Sequence, residues 1–124
     1  MAKKILLVED DPFIIDIYIT KLKESGFEVI SATNGLEALI KAKKEKPNLI
    51  LLDIVLPQLT GFEVLQEIRG IKELSKVPVI ILSNLGQKNE IERGMKLGAT
   101  QYLIKAHFKP SEVIEEIKEI LKIN

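Results

Sequence analysis

The chain has 124 residues, enough for one compact domain with a real interior, and its 46% hydrophobic and 29% charged content excludes a disordered chain. Lys plus Arg and Asp plus Glu number 18 each, so the formal net charge is zero and no basic nucleic-acid footprint is spread over the domain. Cysteine is absent, which excludes disulfides, thiolate metal sites and cysteine nucleophiles, and the single histidine, His107, cannot alone build a histidine metal site or a catalytic triad.

In chain order, short apolar runs alternate with amphipathic segments. The start, MAKKILLVEDD, holds too few apolar residues before its acids for a signal peptide, and no run approaches a membrane span. The expectation is a cytoplasmic domain over 1–124, with no membrane or direct nucleic-acid partner and no output domain. The first strand is KILLVE (4–9), and Asp11-Pro12 then reads as an N-cap with proline at the first helical position. In that helix Ile15, Tyr18, Ile19 and Leu22 form a core stripe. Phe13, Ile14 and Ile17 fall on a neighbouring face, which either widens the core stripe or stays exposed as a docking surface for a partner helix.

Gly26 sits where a helix C-cap belongs, and FEVISA (27–32) follows as the second strand. Asn34 with Glu37 three residues on reads as a capping box opening the second helix. The runs NLILLD (48–53) and VPVIILS (77–83), like the first, are nearly continuous in Ile, Leu and Val, the pattern of strands covered on both faces. Gly94, inside NEIERGMKLG, lies within the fourth helix, where glycine costs about 1 kcal/mol relative to alanine. Either a helix that must rearrange or close packing accounts for it. Gly98 is a second C-cap, TQYLI (100–104) is the last strand, and Pro110 opens a helix with Val113, Ile114, Ile117, Ile120 and Leu121 on one stripe. Five strand-helix pairs predict an α/β doubly wound parallel sheet with helices on both faces.

In such sheets ligands bind beyond the carboxyl ends of the strands. Glu9, Asp10 and Asp11 stand at the end of strand one, Thr33 and Asn34 near the end of strand two, Asp53 at the end of strand three, Ser83 and Asn84 at strand four, and Lys105 at strand five. Singly each has a dull explanation as cap, turn or surface residue. Together, clustered carboxylates repel unless a cation joins them. Oxygen-only ligands suit a hard ion such as Mg²⁺. A metal, a hydroxyl and a lysine around a carboxylate cradle a phosphoryl group, which makes Asp53 a candidate nucleophile.

The stretches LLVEDDP (6–12), LILLDIVLPQLTGFEVL (49–65), VPVIILSN (77–84) and GATQYLIK (98–105) together resemble a receiver domain of two-component response regulators, over essentially the whole chain. The resemblance implies a flavodoxin-like strand order 2-1-3-4-5 and a signalling switch rather than a turnover enzyme. It implies that Asp53 is the phosphoacceptor, taking its phosphoryl group from a histidine of a partner kinase or phosphotransfer protein. Asp10 would bind Mg²⁺ directly and Glu9 through water, with Asp53 and the backbone carbonyl of Val55 as further ligands. Lys105 would pair with the phosphoryl oxygens, Ser83 would move to bond them, and Tyr102 would swing inward. That movement would remodel the face made by helix four, strand five and helix five, a candidate homodimer surface. The family also uses its first helix for the kinase, which favours docking for Phe13, Ile14 and Ile17.

The sequence departs from the family's pattern after strand five. Lys105 is followed by Ala106 instead of proline, so a trans bond is predicted, since a cis bond before a non-proline costs roughly 2.5–4 kcal/mol. The stretch KAHFKPSEV reads one residue longer than usual, with Pro110 displaced towards the helix and His107 a bystander. Asn84 stands where a small residue is common, which predicts narrower phosphoryl access. An aspartyl-phosphate hydrolase commonly has a second acid two residues after its nucleophile, where this chain has Val55. No glycine-rich nucleotide motif is present. The alternative that stays open is a receiver-like, protein-binding scaffold that is not phosphorylated.

Overall fold

The computed structural model describes residues 2–123. Five parallel strands, β1 (Lys4–Val8), β2 (Glu28–Ala32), β3 (Leu49–Leu52), β4 (Val79–Ser83) and β5 (Gln101–Ile104), form one sheet in the order β2-β1-β3-β4-β5. Five helices alternate with them: α1 (Pro12–Glu24), α2 (Gly35–Glu45), α3 (Gly61–Gly70), α4 (Lys88–Lys96) and α5 (Pro110–Leu121). The expected fold class and strand order are what the chain adopts. The fourth strand starts two residues later than the apolar run, because Pro78 has no N–H to donate and only its carbonyl joins the ladder, accepting from Ile50.

Alternation along the strands sorts the core into two layers. Leu6, Val8, Ile50, Leu52, Val79 and Ile81 face Ala38 and Ala42 of α2 and Val64, Leu65 and Ile68 of α3. Ile5, Leu7, Leu49, Leu51, Ile80 and Leu82 face Tyr18 and Leu22 of α1 and Val113, Ile114 and Ile117 of α5. Both faces of the central strands are covered, which is why their sequences carry no polar alternation.

The helix ends follow local chemistry. Asp11 accepts from the amide of Phe13 at 2.9 Å with Pro12 behind it, as expected for an N-cap. The Asn34 side chain accepts from the Glu37 amide at 2.8 Å, but Glu37 does not complete the capping box; its carboxylate takes the Thr33 amide, one residue before the cap. A reciprocal box stands instead at Thr60 and Glu63, opening α3. Gly26 and Gly98 hold positive φ values of 91° and 105° just past α1 and α4, conformations that a Cβ disfavours. Gly94 is explained by close packing, since an added Cβ would lie 2.7 Å from Ile81 and 2.9 Å from the Tyr102 ring.

Candidate functional site

The parallel register places Val8 beside Leu52 and Leu52 beside Ile81, so the residues just past β1 and β3 emerge together. Glu9 and Asp53 stand there side by side, only 3% and 6% exposed, while the adjacent Asp10 is exposed. One carboxylate oxygen of each of Glu9, Asp10 and Asp53 can be chosen so that all lie within 4.8 Å of one another. Gly61 makes this possible from below: its Cα lies so close to the Asp53 carbonyl that no Cβ fits.

Backbone amides hold the acids in place. Glu9 Oε2 accepts from the amides of Asp10 and Asp11, each at 3.1 Å. Asp53 Oδ1 accepts from the amides of Ile54 at 2.7 Å and Val55 at 3.4 Å. These backbone donors have no signature in residue types and were not readable from the sequence. Lys105 then bridges the pair, its Nζ 2.8 Å from Glu9 Oε1 and 3.1 Å from Asp53 Oδ2. It does so from a short 3-10 turn, Lys105–His107, that takes up the extra loop length, with every peptide bond among the described residues trans. Proline after this lysine is therefore not needed for its reach. His107 is exposed on that turn.

Burial, more than any other influence, raises the Glu9 pKa above 4.5, with Asp53 adding to the rise and Lys105 opposing it. Burial alone would lower Lys105, yet its bonds to Glu9 and Asp53 and their charges outweigh that, and its pKa is raised above 10.5. The two directions are compatible, because Lys105 answers to two carboxylates whereas Glu9 shares one ammonium with Asp53. Three carboxylates and one ammonium, all ionised, leave two uncompensated negative charges. An all-oxygen cluster with that deficit fits a hard divalent cation.

Ser83, fully buried at the end of β4, accepts from the Leu85 amide at 3.3 Å. Tyr102 is half-buried, and its hydroxyl donates to the Leu85 carbonyl at 2.5 Å. The two side chains thus grip one peptide unit of the loop before α4. Val55 is 61% exposed at the rim of a groove of about 450 Å³, whose walls include Phe62, Leu85 and Arg93. On α1 the three candidate docking residues part company. Phe13 stands 74% exposed, Ile17 is partly exposed, and Ile14 packs against the second core layer.

The family model described as the response regulator receiver domain matches residues 5–118. The chain belongs to that family. Receiver domains of this kind are signalling domains of two-component systems. Among curated relatives, the chain is 43% identical over 120 residues to a probable transcriptional regulator, ycf27, of Porphyra purpurea, covering 97% of this chain and 48% of that protein. It is 41% identical over 122 residues to the alkaline phosphatase synthesis transcriptional regulatory protein PhoP of Bacillus subtilis, covering 98% and 50%. The receiver thus spans about half the length of these curated relatives.

Solved structures agree with the fold. A CheY-like receiver domain from Methanospirillum hungatei superposes with a TM-score of 0.92 at 31% identity, covering 98% of this chain and 95% of that one. The receiver domain of a sensor histidine kinase from Pseudomonas aeruginosa, with a magnesium ion coordinated in its active site cleft, gives 0.87 at 29%, covering 96% and 97%.

Proposed function

We propose that this receiver accepts a phosphoryl group on Asp53 from a histidine of a kinase or phosphotransfer protein and thereby switches the face formed by α4, β5 and α5. The observation that carries the reading is the Lys105 ammonium lying within hydrogen-bond distance of a buried Asp53, with Glu9 and Asp10 alongside. An Asp53 carboxylate oxygen forms the new bond to phosphorus while the P–N bond breaks, its electron pair returning to the imidazole nitrogen. Glu9, Asp10 and Asp53, with the Val55 carbonyl, would hold Mg²⁺, which supplies charge neutralisation for the phosphoryl oxygens. Lys105 is placed to turn from the carboxylates to the same oxygens.

The switch follows from the grip on Leu85. When the Ser83 hydroxyl turns to the phosphoryl group, the Leu85 amide loses its acceptor, and the loop it leads shifts with the Tyr102 bond on its other side. A local electrostatic event then biases a surface with two arrangements. Phe13 and Ile17, on the exposed part of α1, serve as the kinase contact, and the switched face serves as the output or dimer surface. Relatives named as transcriptional regulators place any DNA contact outside the length matched here, in keeping with zero net charge.

Intact mass after incubation with Mg²⁺ and acetyl phosphate tests the reading. One phosphoryl group is expected on the wild type, only with metal, and none on Asp53→Asn. No adduct from the small donor or from a cognate kinase would favour the unphosphorylated scaffold.

A further inference from the structure

Tyr18 sits in the core stripe of α1, where its ring packs as an ordinary core residue. Its hydroxyl is not ordinary. The residue is 4% exposed, and the hydroxyl makes no hydrogen bond within the described protein, in contrast to Tyr102, whose hydroxyl is bonded to Leu85. Every fully enclosed side-chain oxygen or nitrogen has a partner, so the Tyr18 oxygen keeps only a sliver of solvent. Tyr18 lines a narrow crevice together with Glu9, Asp53, Ile14 and Leu82, directly behind the acidic cluster. Its pKa is pushed up to about 12, chiefly by burial and then by the charge of Glu9, so the phenol remains a proton donor at every working pH.

Glu9 explains why a donor is useful there. Its Oε2 is held by two backbone amides, but Oε1 depends on Lys105. If Lys105 turns to a phosphoryl group on Asp53, a carboxylate only 3% exposed loses its ammonium, and a buried charged acceptor without a donor is costly. We propose that Tyr18 is a positioning residue for the phosphorylated state, donating its hydroxyl to Glu9 when Lys105 leaves and so keeping Glu9 ionised and oriented. This rests on the phosphoacceptor reading of Asp53.

The chain has two tyrosines, so NMR of tyrosine labelled at Cζ gives two signals, and the one missing from Tyr18→Phe is assigned to Tyr18. The experiment adds Mg²⁺ and beryllofluoride, a phosphoryl stand-in, and follows the bound fluoride by fluorine NMR. The Tyr18 signal should move when the adduct forms. Tyr18→Phe should bind beryllofluoride about tenfold more weakly, as for a lost hydrogen bond to a charged group, with the melting temperature of the free protein unchanged. An adduct that leaves the Tyr18 signal unmoved, and binds equally to Tyr18→Phe, overturns the proposal alone. A wild type that forms no adduct overturns both this role and the phosphoacceptor reading.

Discussion

At the scale of single residues, the site is defined by which charge is left short of partners. Glu9 carries a pKa raised above 4.5 mainly by burial, so the folded protein binds its proton more tightly than the unfolded chain does. Its contribution to stability is therefore fullest below pH 4.5 and declines as pH rises through the raised value. Lys105, raised above 10.5, contributes fully below that pH and does not change across the acid and neutral range. Without divalent metal, Glu9→Gln should thus gain stability relative to the wild type as pH is raised from 4.5 to neutrality, measured by urea unfolding. Parallel pH profiles for the two proteins would show that Glu9 feels no net penalty for burial.

At the scale of elements, glycines set how closely a helix approaches the sheet. Gly94 presses α4 onto Ile81 and the Tyr102 ring. Gly94→Ala gains about 1 kcal/mol of helix propensity. It loses about 1–3 kcal/mol to overpacking, because a β4 side chain and an aromatic ring must both give way. A net loss of about 1 kcal/mol is expected in denaturant titration. A net gain would mean that the Tyr102 ring swings aside freely. The far end of α4 is fastened differently: Arg69 donates to the Gly98 carbonyl through Nε at 3.1 Å and through an NH2 group at 2.8 Å, and to the Leu74 carbonyl at 3.2 Å. The helix is therefore tied at its C-terminal turn, while its N-terminal loop hangs on Leu85.

At the scale of the molecule, the acidic end of the sheet couples ligand binding to global stability. A cation that binds only the folded cluster should raise the melting temperature with concentration, by about 2.7 kcal/mol of stability at a hundred times its dissociation constant. Calorimetry with Mg²⁺ checks this, and an Asp10→Asn variant should lose most of the effect. Docking is likewise a property of the assembled surface. Phe13→Ser with Ile17→Ser should impair transfer from a kinase while sparing acetyl phosphate, whereas equal loss of both would remove α1 from the kinase interface. Ile14 is unsuited to this test, because it packs on the core and its substitution would also cost stability.

Much of this was legible in the chain itself. Continuous Ile, Leu and Val runs ending in Glu9, Asp53 and Ser83, with Asp11-Pro12 and Pro110 opening helices, determined five buried strands, their alternation with helices and the end of the sheet where the polar groups gather. Those are properties of nearest neighbours and of hydrophobic period, and they survive without any knowledge of contacts. Tertiary structure decided the rest. Glu37 turned to Thr33 rather than to its own cap, and Ile14 went to the core while Phe13 did not. Lys105 reached both acids from a turn without proline. Gly94 was set by the Tyr102 ring and Gly61 by the Asp53 carbonyl, and the Tyr18 hydroxyl came to lie behind Glu9. Each depends on distances between residues far apart in sequence, which hydrophobic period and local caps do not encode.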